Sequence, residues 1–229
     1  MNRTVDLLFC FIGVFVVYRP ISAQGLQAAI EVGIGSSYFR YSELRPPYLY
    51  QESRSVSHEL SYSVGLLHEV VRSKTGGTLV TGLRFSHLRS SVRFDIGTYG
   101  PTDGIIQHTG TSSISQDYIS IPLRLKSPDV LGFFVFLGPE FGFLVSARNI
   151  EHSTYAPGGP TSIDESIFVR MDNINVVLNG GIGYDFAFDS HDLYLFVSYG
   201  HGLQGTARES YWGTDWRTTD VGLTIGFRL

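Results

Sequence analysis

Apolar side chains occupy every second position of the last nine residues, 221–229 (VGLTIGFRL). The positions between them are Gly222, Thr224, Gly226 and Arg228. Because a strand points successive side chains to opposite faces, this alternation predicts a β-strand with one continuous apolar face and one face of small and polar residues. That combination is typical of a membrane barrel, in which lipid-facing and lumen-facing positions alternate.

Similar alternation recurs along the chain and predicts eight strands, each long enough to cross a membrane, since a tilted spanning strand needs about 9–11 residues. The predicted strands are residues 28–41, 58–73, 78–90, 115–126, 132–148, 170–188, 193–205 and 218–229. A soluble, lipocalin-like barrel also has eight strands, but it would bury its apolar faces. The opposite faces here are rich in Gly and Ser, which suit a tight lumen better than a water-facing surface, so the membrane barrel is the favoured interpretation.

Short and long connections alternate strictly between these strands. The short ones, predicted to be tight turns, are residues 74–77, 127–131 and 189–192. The long polar ones are residues 42–57, 91–114, 149–169 and 206–217. With both termini in the periplasm, all long loops would emerge on the outer side. We therefore predict an all-β fold, an eight-stranded antiparallel up-and-down transmembrane β-barrel with four long outer loops and three short periplasmic turns.

The N-terminal residues resemble a secretory signal peptide. Arg3 precedes the apolar run 7–18, and Ala23 provides a small residue at the predicted cleavage site. The run has twelve residues, fewer than the roughly 20 of a spanning helix, although an N-terminal anchor helix is the alternative. We predict a signal peptide over residues 1–23 and a single barrel domain over residues 24–229.

Cysteine content and net charge narrow the chemistry of the mature chain. The only cysteine, Cys10, lies within the predicted leader, so no disulfide, thiolate metal site or cysteine nucleophile is expected. Removing Arg3, Arg19 and Asp6 with the leader leaves 15 basic and 20 acidic residues. A nucleic-acid partner is not expected, because such proteins present a basic stripe.

Charged residues of both signs share the predicted inward face. They are Glu31, Glu69, Arg84, Arg124, Lys126, Glu140, Asp185 and Arg228. The interior of an eight-stranded barrel is just wide enough for side chains to fill, and charges out of water need partners. We predict a structural ion-pair network that fills the lumen; the alternative is a charged pore or transporter for a small solute.

Candidate catalytic and metal-binding residues are few. The chain has seven histidines, none in a His-Glu-x-x-His or His-x-His pattern. His87 with Ser86 and Ser90 is a fragment of a hydrolase triad near the predicted outer rim, and it leaves a rim enzyme acting on lipid or lipopolysaccharide as another alternative. We predict no enzymatic activity, no catalytic residues, no metal and no cofactor.

Aromatic residues cluster in the last long loop, at Tyr211, Trp212 and Trp216. They are predicted either to join the aromatic girdle at the outer membrane interface or to contact a protein or glycan partner through the exposed loops. The other expected partners are outer-membrane lipid, lipopolysaccharide and the barrel assembly machinery, which we expect to recognise the alternating C-terminal strand.

Residues 118–148 (YISIPLRLKSPDVLGFFVFLGPEFGFLVSAR) carry a family resemblance. A Tyr-hydrophobic-x-Ile-Pro-Leu strand, a short turn and a strand with Gly138-Pro139 that ends in a Ser-Ala-basic step resemble the PorT-like outer-membrane β-barrel family of Gram-negative bacteria. The similarity continues through residues 180–184, 199–203 and 222–227. It implies the barrel fold and an outer-membrane location, and it supplies no catalytic residues to carry over. We therefore expect a structural or interaction barrel, acting through its extracellular loops.

Overall fold

The computed structural model describes residues 27–43, 49–74, 76–99, 105–156, 158–167, 172–187, 192–203, 205 and 214–229. Nine β-strands lie within these residues: β1 (Ala28–Glu43), β2 (Leu49–Arg72), β3 (Thr78–Tyr99), β4 (Ile105–Lys126), β5 (Phe133–Ala156), β6 (Gly159–Ser166), β7 (Ile174–Ala187), β8 (Asp192–Gly202) and β9 (Thr214–Arg228). The predicted signal peptide lies outside the described residues. No helix in the described ranges is both long and apolar enough to cross a membrane.

All strand pairs are antiparallel, and eight of the strands close into a ring. The ring runs β1-β2-β3-β4-β5-β7-β8-β9, and β9 returns to pair with β1 from Ala29↔Arg228 to Glu43↔Thr214. Strand β6 pairs with β5 alone and lies outside the ring. The predicted all-β antiparallel architecture is confirmed, and the closed ring satisfies the backbone hydrogen bonds of both terminal strands.

The two faces of the ring differ as the alternation predicted. Outward side chains form a belt of exposed apolar residues, including Leu60 at 70% and Leu125 at 66% exposure. Many inward positions in the same strands are small, polar or charged, such as Ser61, Ser63 and Arg124. A continuous apolar belt of this size is a lipid-contact surface, whereas a soluble barrel would bury it.

Four strands extend far beyond the predicted boundaries, so much of three predicted loops is strand. Strands β3 and β4 continue through most of residues 91–114, β2 begins at Leu49 within residues 42–57, and residues 149–169 contain the end of β5 and all of β6. The prediction was wrong there because it took polar composition for loop, although a strand that has left the hydrocarbon can carry polar residues. We name the projecting region of residues 89–99, 105–115, 148–156 and 159–166 the sheet extension.

Tight turns occur where the short connections were predicted. The β4–β5 turn has Leu131 and Gly132 at positive φ, 55° and 86°, between Val130 and Phe133, which exchange backbone hydrogen bonds of 2.9 and 3.0 Å. Two central residues with positive φ are the signature of a type I′ hairpin. The β2–β3 turn has Gly76 at φ 90°. Most of the third predicted turn, residues 189–191, lies outside the described residues.

Candidate functional site in the lumen and on the sheet extension

Arg124 is the centre of the lumen at the end of the ring that carries the short turns, here called the turn end. Its side chain is buried, and Nη1 donates to both carboxylate oxygens of Glu31 at 2.8 and 2.9 Å. Tyr194 donates its hydroxyl to the same carboxylate at 2.9 Å. The guanidinium also lies 5.2 Å from the ring centroids of Phe136 and Phe196. These contacts stabilise a charge pair that would otherwise be costly to bury.

Asp185 holds a second group of charges beside this pair. Its carboxylate binds Lys126 Nζ at 2.6 Å and Arg228 Nη2 at 2.8 Å. The two cations also lie over aromatic rings, Lys126 over Phe134 at 4.1 Å and Arg228 over Tyr194 at 5.1 Å. The two groups together form the turn-side layer, in which cations and aromatic rings fill the lumen.

Glu140 organises the next level, the central layer. It accepts hydrogen bonds from Ser120 at 2.5 Å, Asn179 at 2.8 Å and Arg84 at 3.2 Å. Arg84 also donates to Ser63 at 2.8 Å. A polar cavity of about 60 Å³ adjoins these groups, enough for only a few water molecules.

Asp220 also lines this cavity and was missed in the sequence analysis. The signal was available, because Asp220 is in phase with the inward residues Gly222 and Thr224. Gly200 makes room for it: a Cβ at position 200 would lie 2.2 Å from Asp220 Oδ1. The central layer therefore holds two carboxylates, of which Glu140 is bound by Arg84.

Apolar side chains form the third level, the loop-side layer, at the opposite end of the ring. The layer consists of Phe39, Ile114, Tyr118, Leu144, Ala147 and Ile167. Ile167 follows β6, and its amide donates to the carbonyl of Ala147 at 3.0 Å. No apolar layer was predicted inside the barrel, where the inward faces were expected to be rich in Gly, Ser and charged residues.

Seven of the eight predicted lumen charges lie in the two charged layers. The turn-side layer contains Glu31, Arg124, Lys126, Asp185 and Arg228, and the central layer contains Arg84 and Glu140. Glu69 is buried too, but its carboxylate binds Arg72 of the same strand at 2.6 Å and joins neither group.

His87 lies on the outer face of β3, away from the serines predicted to accompany it. It binds Asp117 through Nδ1 at 2.6 Å and stacks on Tyr62 with 4.8 Å between ring centroids. Ser86 lines the central cavity and Ser90 is fully buried, so both belong to the inward face. The structure does not bring the predicted triad fragment together. The described residues also contain no group of three His, Cys, Asp or Glu side chains that could hold a metal.

The outward face of the sheet extension carries exposed basic side chains. Arg148 makes a two-pronged ion pair with Asp164 of β6, and this hydrogen bonding lowers the pKa of the Asp164 carboxyl and raises the pKa of Arg148. Of the predicted loop aromatics, Trp216 lies in β9 opposite Tyr41. Tyr211 and Trp212 lie outside the described residues.

Solved structures to which the chain is similar include three bacterial proteins. Ail, the attachment invasion locus protein of Yersinia pestis, solved with the heparin analogue sucrose octasulfate, is 11% identical, with a TM-score of 0.43 over 90% of this chain and 100% of Ail. Neisserial surface protein A is 11% identical, with a TM-score of 0.38 over 89% and 98% of the two chains. OprG from Pseudomonas aeruginosa is 12% identical, with a TM-score of 0.32 over 88% and 96%.

Family membership rests on the sequence over nearly its whole length. No curated protein matches the chain. The model of the outer membrane protein beta-barrel domain family matches residues 22–229. That span includes every strand of the ring and the sheet extension. The chain therefore belongs to the outer membrane protein beta-barrel domain family and is a protein of the outer membrane.

Proposed function

We propose that the protein is a closed barrel with a structural or interaction role, which anchors the sheet extension and the outer loops at the cell surface. The observation that carries the proposal is the filling of the lumen at three successive levels. The turn-side layer contains a buried Arg124–Glu31 ion pair beside aromatic rings, and the loop-side layer is apolar. A hydrated solute could cross the barrel only by disrupting the packing of both layers.

A pore is the weaker alternative for two reasons. The charged side chains of the lumen bind one another rather than lining an open path, as Lys126 and Arg228 do with Asp185. The loop-side layer, with Phe39 and Tyr118 almost fully buried, presents mainly apolar side chains, and desolvating an ion against apolar side chains is costly.

We also propose that the protein is not an enzyme and belongs to the PorT-like group within its family. The separation of His87 from Ser86 and Ser90 on opposite faces of β3 supports the first point. The Tyr118–Pro122 strand and the Gly138-Pro139 step support the second. A cleaved signal peptide over residues 1–23 remains a prediction.

Conductance in planar bilayers tests the closed lumen. The purified, folded protein should give no defined unitary steps above the noise of a detergent-only control. A heat-unfolded sample shows how much leak misfolded protein causes, and migration on unheated gels shows that the inserted sample is folded. Reproducible steps of one size from the folded sample alone would refute the closed barrel and support the pore.

A further inference from the structure

The outward face of the sheet extension is organised in rows that run across its strands. Arg89 of β3 pairs with Ser115 of β4, which pairs with Arg148 of β5. Two outward positions further from the ring, Arg93 pairs with Thr111, and Thr111 pairs with His152. Because paired residues point to the same side of a sheet, these basic side chains share one face, with Arg89 and Arg148 about 10 Å apart and Arg89 and Arg93 about 13 Å apart.

Few acidic groups oppose these cations. The exposed Arg89 and Arg93 side chains make no ion pair within the described part of the chain. Asp117 is bound by His87, and Asp164 is bound by Arg148. Asp95 accepts a hydrogen bond from Gln107 at 3.2 Å. Arg89 and Arg93 outnumber Asp95, which lies two residues from Arg93 on the same face, so the face keeps a positive excess.

The basic face begins directly above the apolar belt. Phe85, Ile119 and Phe143 pair across β3, β4 and β5 as the last apolar row on this side. The row of Arg89 and Arg148 lies two outward positions higher, about 13 Å along the strands and less along the membrane normal because the strands tilt. A side chain at that height reaches the headgroup region of the outer leaflet.

Hydroxyl groups surround the second basic row. Arg93 and His152 line an open groove with Thr109, Thr111, Thr154 and Ser162. Hydroxyls that both donate and accept suit a sugar, and arginine suits a phosphate, which it can bind through two parallel hydrogen bonds. The outer leaflet of this membrane presents both groups on one lipid, lipopolysaccharide.

We propose that the outward face of the sheet extension binds the phosphorylated sugar headgroup of lipopolysaccharide, with Arg89 and Arg93 as the principal phosphate contacts. Arg148 and the hydroxyl groove contact the adjoining sugars. The site follows from the continuity of this face with the lipid-contact belt and from charge complementarity. The proposed site does not depend on whether the lumen is closed. Conductance by the protein would therefore refute the closed barrel without contradicting the lipopolysaccharide site.

Native mass spectrometry of the folded protein with bisphosphorylated lipid A tests the site. The variant Arg89→Ser/Arg93→Ser should bind lipid A about 30-fold more weakly, since each of the two basic residues contributes about 1 kcal/mol near an anionic surface. The control Arg72→Ser/Lys74→Ser removes the same charge at the turn end and should bind like the wild type. Dephosphorylated lipid A should bind weakly to all three proteins.

Two results would overturn the proposal. Equal retention by the two double variants would show that position on the barrel is irrelevant. Equal binding of phosphorylated and dephosphorylated lipid A would assign the interaction to the apolar belt alone, and would leave the basic face for a protein partner. Migration on unheated gels establishes that each variant is folded before it is compared.

Discussion

Strand β3 passes through two environments, and the polarity of its faces inverts between them without any change of phase. Within the ring its inward residues are Gly82, Arg84 and Ser86, and its outward face includes Phe85. In the sheet extension the inward residues are Val92, Phe94 and Ile96, each 8–9% exposed, whereas Arg93 is exposed on the outer face. The surrounding medium, lipid or water, therefore decides which face of a strand is apolar.

The largest expected effect comes from a buried charge in the ring. Glu140→Ala leaves Arg84 without its carboxylate partner, and breaking a buried pair costs about 3–5 kcal/mol. Asp164→Ala removes a carboxylate that also binds an arginine, but on the exposed sheet extension, where solvent screens the pair. Denaturant unfolding in detergent should show a much lower midpoint for the first variant only. Similar midpoints would mean that the central layer is well hydrated.

A lysine on the outward face should be harmful only at the level of the belt. Leu137 is 57% exposed on β5 within the belt, where a lysine near the membrane midplane costs about 2–4 kcal/mol. Thr154 is exposed on the same strand within the sheet extension. We expect Leu137→Lys to reduce the yield of folded barrel in outer-membrane fractions, and Thr154→Lys to leave it unchanged. Equal yields of folded barrel from the two variants would mean that the boundary between the lipid-contact belt and the sheet extension is not between Leu137 and Thr154.

Truncation of an inward aromatic should loosen the sheet extension and leave the ring intact. Phe94 is buried against His108, with 4.8 Å between ring centroids. Phe94→Ala should therefore increase amide hydrogen exchange in the outer parts of β3 and β4, while exchange in the ring stays slow. Arg93→Ala, the outward neighbour, is the control. Faster exchange throughout the barrel would show that the two regions unfold as one unit.

The smallest expected effect is a pH dependence at β6. Because Arg148 lowers the pKa of Asp164, the pair stabilises the β5–β6 contact fully above the ordinary aspartate pKa of about 3.9. That stabilisation is lost as the pH falls through the lowered pKa of the folded state. Hydrogen exchange in β6, corrected for intrinsic rates, should therefore be constant from pH 7 to about pH 5 and faster only in stronger acid. Asp164→Asn should abolish this step.

Alternation alone predicted the ring, because lipid demands apolar residues at every outward position. It also identified Glu31 and Arg124 as inward residues, although their pairing joins β1 to β4 and could not be read from spacing. Prediction failed for residues 91–114, where the apolar face turns inward and the outer face is polar. Asp220 was overlooked, although its position in the alternation of β9 places it on the inward face with Gly222 and Thr224. The apolar loop-side layer depends on Ile167, whose position is set by tertiary contacts rather than by local sequence.

The pairing of β1 with β9, which closes the ring, also fixes the register of the strands. Gly33 lies opposite Thr224, and Gly35 lies opposite Gly222; a Cβ at Gly35 would come within 2.4 Å of the Val221 carbonyl oxygen. A slip of one residue would turn Ile225 inward and Thr224 toward lipid. A slip of two would alter the shear of the ring, and with it the tilt of the strands and the bore that the three layers fill. Small residues at one seam thus determine the circumference of the whole barrel.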